Sequence, residues 1–579
     1  MLRNSRVFAN KLLTANKKIK ILFYHAGPAQ WINDAVLVFK TYIDLLYPDL
    51  AEQLEWVLPI QQEISDDELI NHIKETGADI LCTSHYIWNH DFLINQLSRI
   101  KPLSKIQTII AGGPSIDVNV NEQFFDQYPY IDYAVYGAGE QAFADIMNHL
   151  VFATPLIAFN TSNCAWKNNK TGKINVADYK FVKMSETSPF LHNKTMFADM
   201  IKEIQIKESQ LEEVWLPYTL TRGCPYSCTF CDWNSGLGNK VSRRKKTYQQ
   251  EIDLFQQLGI KKIFLADANV GQYDEDVSMV EYFAEKNIKE SAGFQLAANF
   301  SKLKKENNLK MFHTMAQSGL AEQSLIFAIQ DINQEVLNNI DRPDVGWDVH
   351  LAMIQELTTS YPHLSIRTQL ICGLPGQTPE SWQHTMRQIL AINNVLPWIY
   401  LNEPLPASPA MTDPEYQRRF QFEYDKVSRI DFRQKYFVAI IPKKCISFSQ
   451  HDFVKMTVLS VLCYAISLIN LTMIRYTKSA VNTELLIDNI LSSTGYDILC
   501  KNLYTNWTDK TNFYFTQNFA GVDTQSYSAD SQDLTILLKD TAFMEQIQNT
   551  LPTQQKSSLI FLYQTKLLQK HVQSLVNYT

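Results

Sequence analysis

The chain has 579 residues, of which 45% are hydrophobic and 20% charged, and its formal net charge at pH 7 is −7. This composition is typical of a folded globular protein with an ample core, and the length suggests three or so domains of ~150 residues each. The negative charge argues against a general nucleic-acid-binding surface, because such a surface needs a basic face.

Cysteine usage indicates the compartment. The chain contains nine cysteines, an odd number, and six of them are scattered singly along it. This is typical of reduced thiols in the cytoplasm, whereas a secreted protein pairs its cysteines in a disulfide framework. Neither an apolar core nor a small-residue cleavage site follows the basic start, so we expect no secretion signal and predict a cytoplasmic protein.

Residues 457–474 form an almost uncharged stretch that is near the length of a membrane span. Ser460, Ser467 and Asn470 interrupt the stretch, and Lys455 and Arg475 lie near its ends. We interpret it as a helix that is buried on most sides, and we expect no membrane association. A bilayer span is the weaker alternative.

Residues 1–150 alternate between helical patterns and short, β-rich apolar runs. The predicted strands are residues 20–24, 56–60, 80–84, 108–111 and 133–136. A capping box from Ser65 to Glu68 opens one of the helices between them. This alternation predicts an α/β domain with a doubly wound, Rossmann-like parallel sheet, which binds ligands where its strands end. Glycine-rich phrases at residues 112–114 and 137–140 follow the fourth and fifth strands, at that edge.

Residues 151–210 carry no strong periodic pattern, and we predict a linker there. Within them, the polar run at residues 167–172 resembles the turn of a hairpin.

A glycine- and proline-punctuated loop follows the next predicted strand, at residues 215–221. It holds Cys224, Cys228 and Cys231 at the spacing C-x3-C-x2-C. Three thiolates so close together can hold three irons of a [4Fe–4S] cube, which leaves the fourth iron without a protein ligand. A structural zinc site would need four ligands, and the sequence around the loop offers neither a fourth cysteine nor a histidine.

From residue 211 to about residue 425, strands and helices alternate again. With the strand before the cysteine loop, residues 262–266, 293–297, 325–329, 364–371 and 398–401 make six predicted strands. Parallel βα barrels place their chemistry where the strands end. Polar side chains follow the second, third and fourth strands (Asp267, Asn269, Asn299 and Gln330), which predicts one ligand pocket, although each of them could instead cap a helix.

The cysteine loop, with the turn Gly373-Leu374-Pro375-Gly376-Gln377-Thr378 after the fifth strand, resembles the signatures of radical S-adenosylmethionine (SAM) enzymes. The resemblance implies a partial (βα)6, TIM-like barrel over residues 211–425 and a [4Fe–4S] cluster whose open iron is chelated by SAM. It also implies an external electron donor of the flavodoxin or ferredoxin type. The cluster ligands would be Cys224, Cys228 and Cys231, and the SAM contacts would be Asp267, Asn269, Asn299, Gln330, Gly373, Pro375 and Gly376.

Three loops of the N-terminal domain, at residues 84–89, 111–114 and 136–140, resemble the cobalamin-binding-type domain that precedes many radical SAM cores. The Asp-x-His-x-x-Gly motif that ligates cobalt in other cobalamin proteins is absent from the sequence. His25 and His85 lie near strand ends, and we interpret both as loop or packing residues. The sequence therefore leaves cobalamin binding open.

Cys372, directly before the Gly-Leu-Pro-Gly turn, suggests the reaction type. A thiol can return a hydrogen atom to a carbon radical formed by a radical SAM enzyme, and so invert the carbon. With the domain order, this position resembles the proteusin-type radical SAM peptide epimerases. That resemblance implies a ribosomally made precursor peptide as substrate and Cys372 as the hydrogen donor.

Two observations leave alternatives open. A lone cysteine at a strand end is commonly a small buried hydrophobe. Strand alternation also puts Cys372 on the face opposite Arg367 and Gln369, so the thiol points outward if the polar face lines the barrel. The alternative function is a cobalamin-dependent radical SAM methyltransferase. Residues 426–579 predict a mostly helical accessory or substrate-binding domain with an aromatic-rich strand at residues 512–515.

Overall fold

The structure, a computed structural model, describes residues 17–504 except 28–30, 117–119, 121, 157–160, 168–170, 208–213, 234–237, 245–247, 322–323, 431–435, 478–482, 493–495, 498–499 and 502–503. The chain divides into two compact units. The first unit contains the described residues up to Pro225, with Trp233–Ala268 and Glu281–Ala298. The second contains Tyr226–Asp232, Asn269–Val280 and the described residues from Asn299 onward.

An eight-stranded sheet forms the N-terminal part of the first unit. Its strands are β1 (Ile19–Gly27), β2 (Leu54–Trp56), β3 (Ile60–Gln62), β4 (Ile80–Ser84), β5 (Thr108–Gly112), β6 (Tyr133–Val135), β7 (Cys164–Lys167) and β8 (Ile174–Val176). They run in the order β2-β1-β4-β5-β6-β7-β8, and β3 also pairs with β1. The pairs among β1 to β6 are parallel.

Helices cover both faces of this sheet. They are α1 (Ala35–Leu46), α2 (Pro48–Ala51), α3 (Asp66–Thr76), α4 (His90–Ile100), α5 (Glu122–Gln127) and α6 (Glu140–Phe152). Alternate residues of β1 enter two separate hydrophobic cores, with Ile21 in one and Leu22 in the other, because side chains alternate along a strand. The predicted Rossmann-like, doubly wound sheet is confirmed, and so is the capping box between Ser65 and Glu68.

The linker prediction is wrong for much of residues 151–210. Strands β7 and β8 flank the predicted hairpin turn, pair antiparallel and extend the sheet beyond β6. Two helices follow, α7 (Pro189–His192) and α8 (Lys194–Lys207). The Asn193 side chain between them donates hydrogen bonds to the Leu37 carbonyl (3.1 Å) and the Thr41 hydroxyl (2.8 Å) of α1. This segment is therefore a folded part of the first unit and not a linker.

The six predicted strands of the second βα series are all present. Strands β9 (Trp215–Tyr218), β12 (Lys262–Val270) and β13 (Gln295–Phe300) form one sheet in the order β13-β12-β9. Strands β14 (Ser324–Gln330), β15 (Ser365–Cys372) and β16 (Val395–Leu401) form a second, parallel sheet within the second unit. A short antiparallel pair, β10 (Thr221–Arg222) and β11 (Ser242–Arg243), flanks the cysteine loop.

Helices alternate with these strands, as a βα series requires. They are α9 (Tyr248–Gln257), α10 (Asp274–Glu290), α11 (Lys305–Ser318), α12 (Gln334–Asn339), α13 (Trp347–Ser360) and α14 (Pro379–Leu390). Thr378 forms the N-cap of α14, which begins with Pro379 directly after the Gly-Leu-Pro-Gly turn. The helix start therefore fixes the far end of that turn.

The described C-terminal part belongs to the second unit. It comprises α15 (Pro409–Thr412), α16 (Pro414–Phe420), the antiparallel hairpin β17 (Glu423–Ile430) and β18 (Tyr436–Lys444), α17 (Gln450–Thr477) and α18 (Thr483–Leu491). The indole of Trp382 in α14 donates to the Ser460 hydroxyl of α17 (3.0 Å), so α17 is part of the core. The predicted strand at residues 512–515 lies outside the described residues.

Helix α17 contains the apolar stretch singled out in the sequence. By length and composition, Gln450–Thr472 is long and apolar enough to cross a membrane. However, 88% of its most apolar window is buried inside the protein. This burial agrees with the interpretation as a core helix.

Candidate active site

The cysteine loop begins at a position that only glycine can occupy. Gly223 has φ +86°, and a Cβ there would lie 2.1 Å from the carbonyl oxygen of Lys240. Cys224 and Cys228 are buried and Cys231 is partly exposed. In a cubane each thiolate binds a different iron, so the ligands need not converge on one point. Within the described part of the chain, no three metal-binding side chains converge as the ligands of one ion would.

One side of the loop is fixed by the elements that follow β14 and β16. The Thr229 amide donates to the Ile340 carbonyl (3.0 Å), just after α12, and the Thr229 carbonyl accepts from the Ala410 amide (2.8 Å). Phe230 packs against a small hydrophobic cluster that includes Ile371 and Leu374. These contacts place the loop beside the Gly-Leu-Pro-Gly turn, as expected for one site.

The other side of the loop is fixed by residues that follow β12 and β13. The Tyr226 hydroxyl donates to Gln272 (3.2 Å), and the Lys302 ammonium lies 4.8 Å from the centre of the Tyr226 ring. The same ammonium donates to Oδ1 of buried Asn269 (2.6 Å). Half-buried Asn299 lies near the end of β13, three residues before Lys302. The structure therefore brings Asn269 next to the cysteine loop.

Asp267, one of the predicted SAM contacts, also has a structural role within the protein. Strand β12 extends to Val270, so Asp267 lies inside the strand and not after it. Its Oδ1 accepts hydrogen bonds from the backbone amides of Leu220 (2.8 Å) and Thr221 (2.9 Å). Because this carboxylate holds the chain four and three residues before Cys224, Asp267 is a positioning residue for the loop.

Gln330 lies at a strained point of the backbone. It has φ +69°, in the left-handed region, where a residue other than glycine costs about 1–3 kcal/mol. The pairing of β14 with β15 is irregular at this point, between Ala328 and Gln330. Buried Arg342 donates to the Ala328 carbonyl and so stabilises the irregular end of β14. Such strain is often found at functional sites, and Gln330 stays a predicted SAM contact.

A fully buried glutamine organises the Gly-Leu-Pro-Gly turn. Oε1 of Gln377 accepts from the amides of Gly373 (2.7 Å) and Leu374 (2.9 Å). Its Nε2 donates to Asp331 (2.5 Å) and to the Ile371 carbonyl (2.9 Å). Burial raises the pKa of Asp331, and the donation from Gln377 opposes that rise. The turn is thus locked to the end of β14, a role that sequence reasoning missed for Gln377.

The conformation of the turn and the space beside it both require glycine at Gly373 and Gly376. Gly373 and Gly376 have φ +96° and +98°. A Cβ at Gly373 would lie 2.6 Å from the Phe453 ring, and one at Gly376 would lie 2.6 Å from the Asn339 amide. Pro375 is buried, and its carbonyl accepts from Asn339 (3.2 Å). The space beside the two glycines is thus filled by protein side chains. Any contact of these glycines with the adenine of SAM would be made by their backbone atoms.

Cys372 lies on the face of β15 that packs against α17, which we call the outer face. Arg367, on the opposite face, lies with its guanidinium carbon 5.2 Å from the Trp398 ring centre. The Cys372 thiol is fully buried beside Thr457 and Ser460 of α17, and burial raises its pKa. Strand alternation continues to the last residue of β15, and the turn begins only after it. The contacts of Cys372 are therefore those of a packing residue and do not support a hydrogen-donor role.

At the carboxyl edge of the N-terminal sheet, the loop after β4 presents an apolar surface. Ile87 and Trp88 are 39% and 38% exposed, and Trp88 stacks on Tyr86 with ring centres 4.5 Å apart. His85 is fully buried, its Nε2 lies 2.9 Å from the Thr83 hydroxyl, and burial lowers its pKa well below the usual range. His85 is therefore a neutral packing histidine, as predicted from the sequence.

An ion pair that the sequence did not suggest connects this edge to the cysteine loop. Glu140, the first residue of α6, is buried and accepts from the Arg222 guanidinium. Arg222 lies two residues before Cys224, and it also donates to the Val182 carbonyl (3.2 Å). The glycine-rich loop after β6 and the entry to the cysteine loop are thus fixed relative to each other within the first unit.

Comparison with known proteins identifies the central domain. Residues 218–389 match the model of the Radical SAM superfamily. This part of the chain is a radical SAM domain. Such a domain uses a [4Fe–4S] cluster and SAM, so these two predicted cofactors are confirmed, and it requires an external electron donor.

Two curated relatives extend beyond this domain. The chain is 25% identical over 354 residues to the cobalamin-dependent radical SAM methyltransferase TokK of Streptomyces tokunonensis, covering 60% of the chain and 48% of TokK. It is 24% identical over 332 residues to the 2-(S-pantetheinyl)-carbapenam-3-carboxylate methyltransferase of Streptantibioticus cattleyicolor, covering 56% of the chain and 47% of the relative. The chain thus spans about half the length of the curated relatives it matches.

Two solved structures share the fold. The cobalamin-dependent SAM radical enzyme OxsB is 13% identical, with a TM-score of 0.55, and the match covers 98% of this chain and 82% of OxsB. The methyltransferase TsrM from Kitasatospora setae, solved with cobalamin and a [4Fe–4S] cluster, is 11% identical with a TM-score of 0.54, covering 77% and 88% of the two chains. The predicted α/β architecture, with an N-terminal Rossmann-like sheet before the radical SAM domain, is confirmed.

Proposed function

We propose that the chain is a cobalamin-dependent radical SAM methyltransferase. The observation that carries this proposal is the match to TokK, which covers 354 residues and so extends well beyond the radical SAM domain at residues 218–389. This similarity favours methyl transfer, the alternative from the sequence, over peptide epimerisation. The proposed hydrogen donor for epimerisation, Cys372, lies on the outer face of β15 under α17.

The residues of the cysteine loop fit an iron–sulfur cluster. Cys224, Cys228 and Cys231 would each bind one iron, and thiolates are the ligands that such clusters use. We retain Asp267, Asn269, Asn299, Gln330, Gly373, Pro375 and Gly376 as proposed SAM contacts, and Asp267 also positions the backbone before the cysteine loop. When bound, the cluster and SAM supply a carbon-centred oxidant, and cobalamin supplies the methyl group that is transferred.

The carboxyl edge of the N-terminal sheet fits a large planar cofactor. Exposed Ile87 and the stacked pair Tyr86 and Trp88 offer an apolar, partly flat surface after β4, the place where doubly wound sheets bind ligands. A corrin ring has a matching flat face. The His85 side chain is fully buried, so its ring nitrogens are not accessible to a cobalt ion outside the sheet. We therefore propose that cobalamin is held without a histidine ligand from this loop.

The protein's own contribution is to hold the loop and keep water from it. Asp267 fixes the backbone before Cys224, and Glu140 fixes Arg222 beside it. Phe230, in its hydrophobic cluster, shields the loop on the side of the Gly-Leu-Pro-Gly turn. A rigid loop that is partly shielded from solvent keeps its thiolates in one geometry. A preorganised site requires such a fixed geometry.

The proposal is tested without knowing the methyl acceptor. The full chain is reconstituted anaerobically with iron and sulfide, mixed with hydroxocobalamin, and passed through a desalting column. We expect the protein to retain cobalamin in about equal amount, seen in its visible spectrum. With a reductant and SAM, we expect S-adenosylhomocysteine that depends on cobalamin, in addition to 5′-deoxyadenosine. A protein that retains no cobalamin, and cleaves SAM only to 5′-deoxyadenosine, would contradict the proposal and favour epimerisation.

A further inference from the structure

Strands β15 and β16 carry an unusual set of side chains on the face opposite α17. We call the set Arg367, Gln369, Trp398 and Tyr400 the arginine–aromatic face. Gln369 pairs in register with Trp398, and Ile371 pairs with Tyr400, so these side chains lie on the same side of the sheet. Interiors of βα barrels are filled mainly by branched aliphatic residues, and large polar and aromatic groups here need another explanation.

Two aromatic rings form a shelf on this face. Trp398 and Tyr400 are stacked, with ring centres 6.1 Å apart and planes 17° apart. Tyr400 is 42% exposed and Trp398 is half-buried. Ile399 and Leu401, which point to the other side of β16, are buried. The shelf is therefore the open side of the strand, and it offers a flat ligand two rings to stack on.

Two polar side chains, Arg367 and Gln369, lie on the same face as the shelf. The half-buried Gln369 side chain lies on the same face as the Tyr400 phenol, and a phenol hydroxyl can donate its hydrogen to an acceptor. The buried Arg367 guanidinium supplies positive charge beside Trp398 and Tyr400. Tyr400 thus adds a phenol hydroxyl to a face that also carries a buried guanidinium.

We propose that the arginine–aromatic face binds the substrate, and that the substrate is a small molecule with a flat ring and a carboxylate. The ring stacks on Trp398 and Tyr400, and the carboxylate accepts the hydrogen bond of the Tyr400 hydroxyl. Arg367 lies behind the shelf and acts through its charge, as a positioning and specificity residue. This inference rests on the proposed function, because it names the class of the methyl acceptor, and it departs from the precursor peptide predicted from the sequence.

The experiment compares two probes that differ only in charge, indole-3-acetate and indole-3-acetamide. Their affinities for the anaerobically reconstituted full chain are measured by ligand-observed NMR titration. We expect the acid to bind about tenfold more tightly than the amide, as a hydrogen bond to a charged group provides. Tyr400→Phe keeps the shelf and should remove most of this preference, and Arg367→Gln should remove it as well.

Tyr282→Phe is the matched control, because it removes a hydroxyl that donates to Asp253 elsewhere, in the first unit (2.9 Å). It should bind both probes like the unaltered protein. Equal affinity for acid and amide in the unaltered protein, or an unchanged preference in Tyr400→Phe, would overturn the inference. Cobalamin retention and S-adenosylhomocysteine formation are measured on the same samples. If they persist while the acid preference is absent, the inference fails and the proposed methyltransferase stands. If the acid preference is present and they are absent, the ligand site stands, and both the methyltransferase and the role of the ligand as methyl acceptor are overturned.

Discussion

Cys228 and Cys372 lie in the same unit of the protein and both are buried, but their surroundings differ. Cys228 lies in an irregular loop whose neighbouring residue Thr229 is hydrogen-bonded to segments after β14 and β16. Cys372 ends a regular strand and packs under α17. Burial of a cysteine therefore does not decide its role. A thiol in a loop built by several strand ends can serve a cofactor, and one on the covered face of a strand serves the core.

The largest expected effect follows from Cys228→Ala. Removing one of three thiolates should prevent a stable cluster, so the purified protein should lack iron and sulfide and should not cleave SAM. Iron and sulfide content and 5′-deoxyadenosine formation under anaerobic conditions measure this. Cys463→Ala, a substitution of another buried cysteine in α17, is the control and should keep the cluster. A Cys228→Ala protein with a full cluster would show that Cys228 is not a cluster ligand.

The elements around both cysteines could be predicted from the sequence because their signals are local. The spacing of Cys224, Cys228 and Cys231 is visible within eight residues, and the strand predicted at residues 364–371 matches β15 to within one residue at each end. Strand alternation by itself also predicts that Cys372 lies on the face opposite Arg367. Local periodicity fixes which face a strand residue takes, provided that the strand stays regular.

Roles that depend on distant contacts could not be predicted. Asp267 accepts from backbone amides 46 and 47 residues away in the chain, and no local pattern indicates that choice. Gln377 reaches Asp331, which is also 46 residues away. The linker prediction failed for a similar reason. Strand β7 forms by pairing with the edge of β6, and that pairing is not visible in the local sequence.

The two faces of β15 should respond differently to truncation. Leu370→Ala on the outer face removes a fully buried side chain, so the free energy of unfolding should fall by about 2–5 kcal/mol. Gln369→Ala on the opposite face removes a half-buried amide and should cost about 1 kcal/mol or less. Urea denaturation of the reconstituted proteins measures both. A larger loss for Gln369→Ala than for Leu370→Ala would show that the open face is part of the core.

The smallest effect is expected for Cys372→Ala, and it distinguishes the two functions most directly. Because the thiol lies among Thr457 and Ser460, its loss should cost about 1 kcal/mol of stability and leave the cluster and SAM cleavage intact. Cobalamin-dependent formation of S-adenosylhomocysteine should also be unchanged, since a packing residue takes no part in it. Cys372→Ser retains a polar group of similar size and should behave in the same way. A hydrogen donor would instead be needed for every turnover. Loss of turnover in both variants, while the cluster, SAM cleavage and stability are preserved, would show that Cys372 takes part in the reaction.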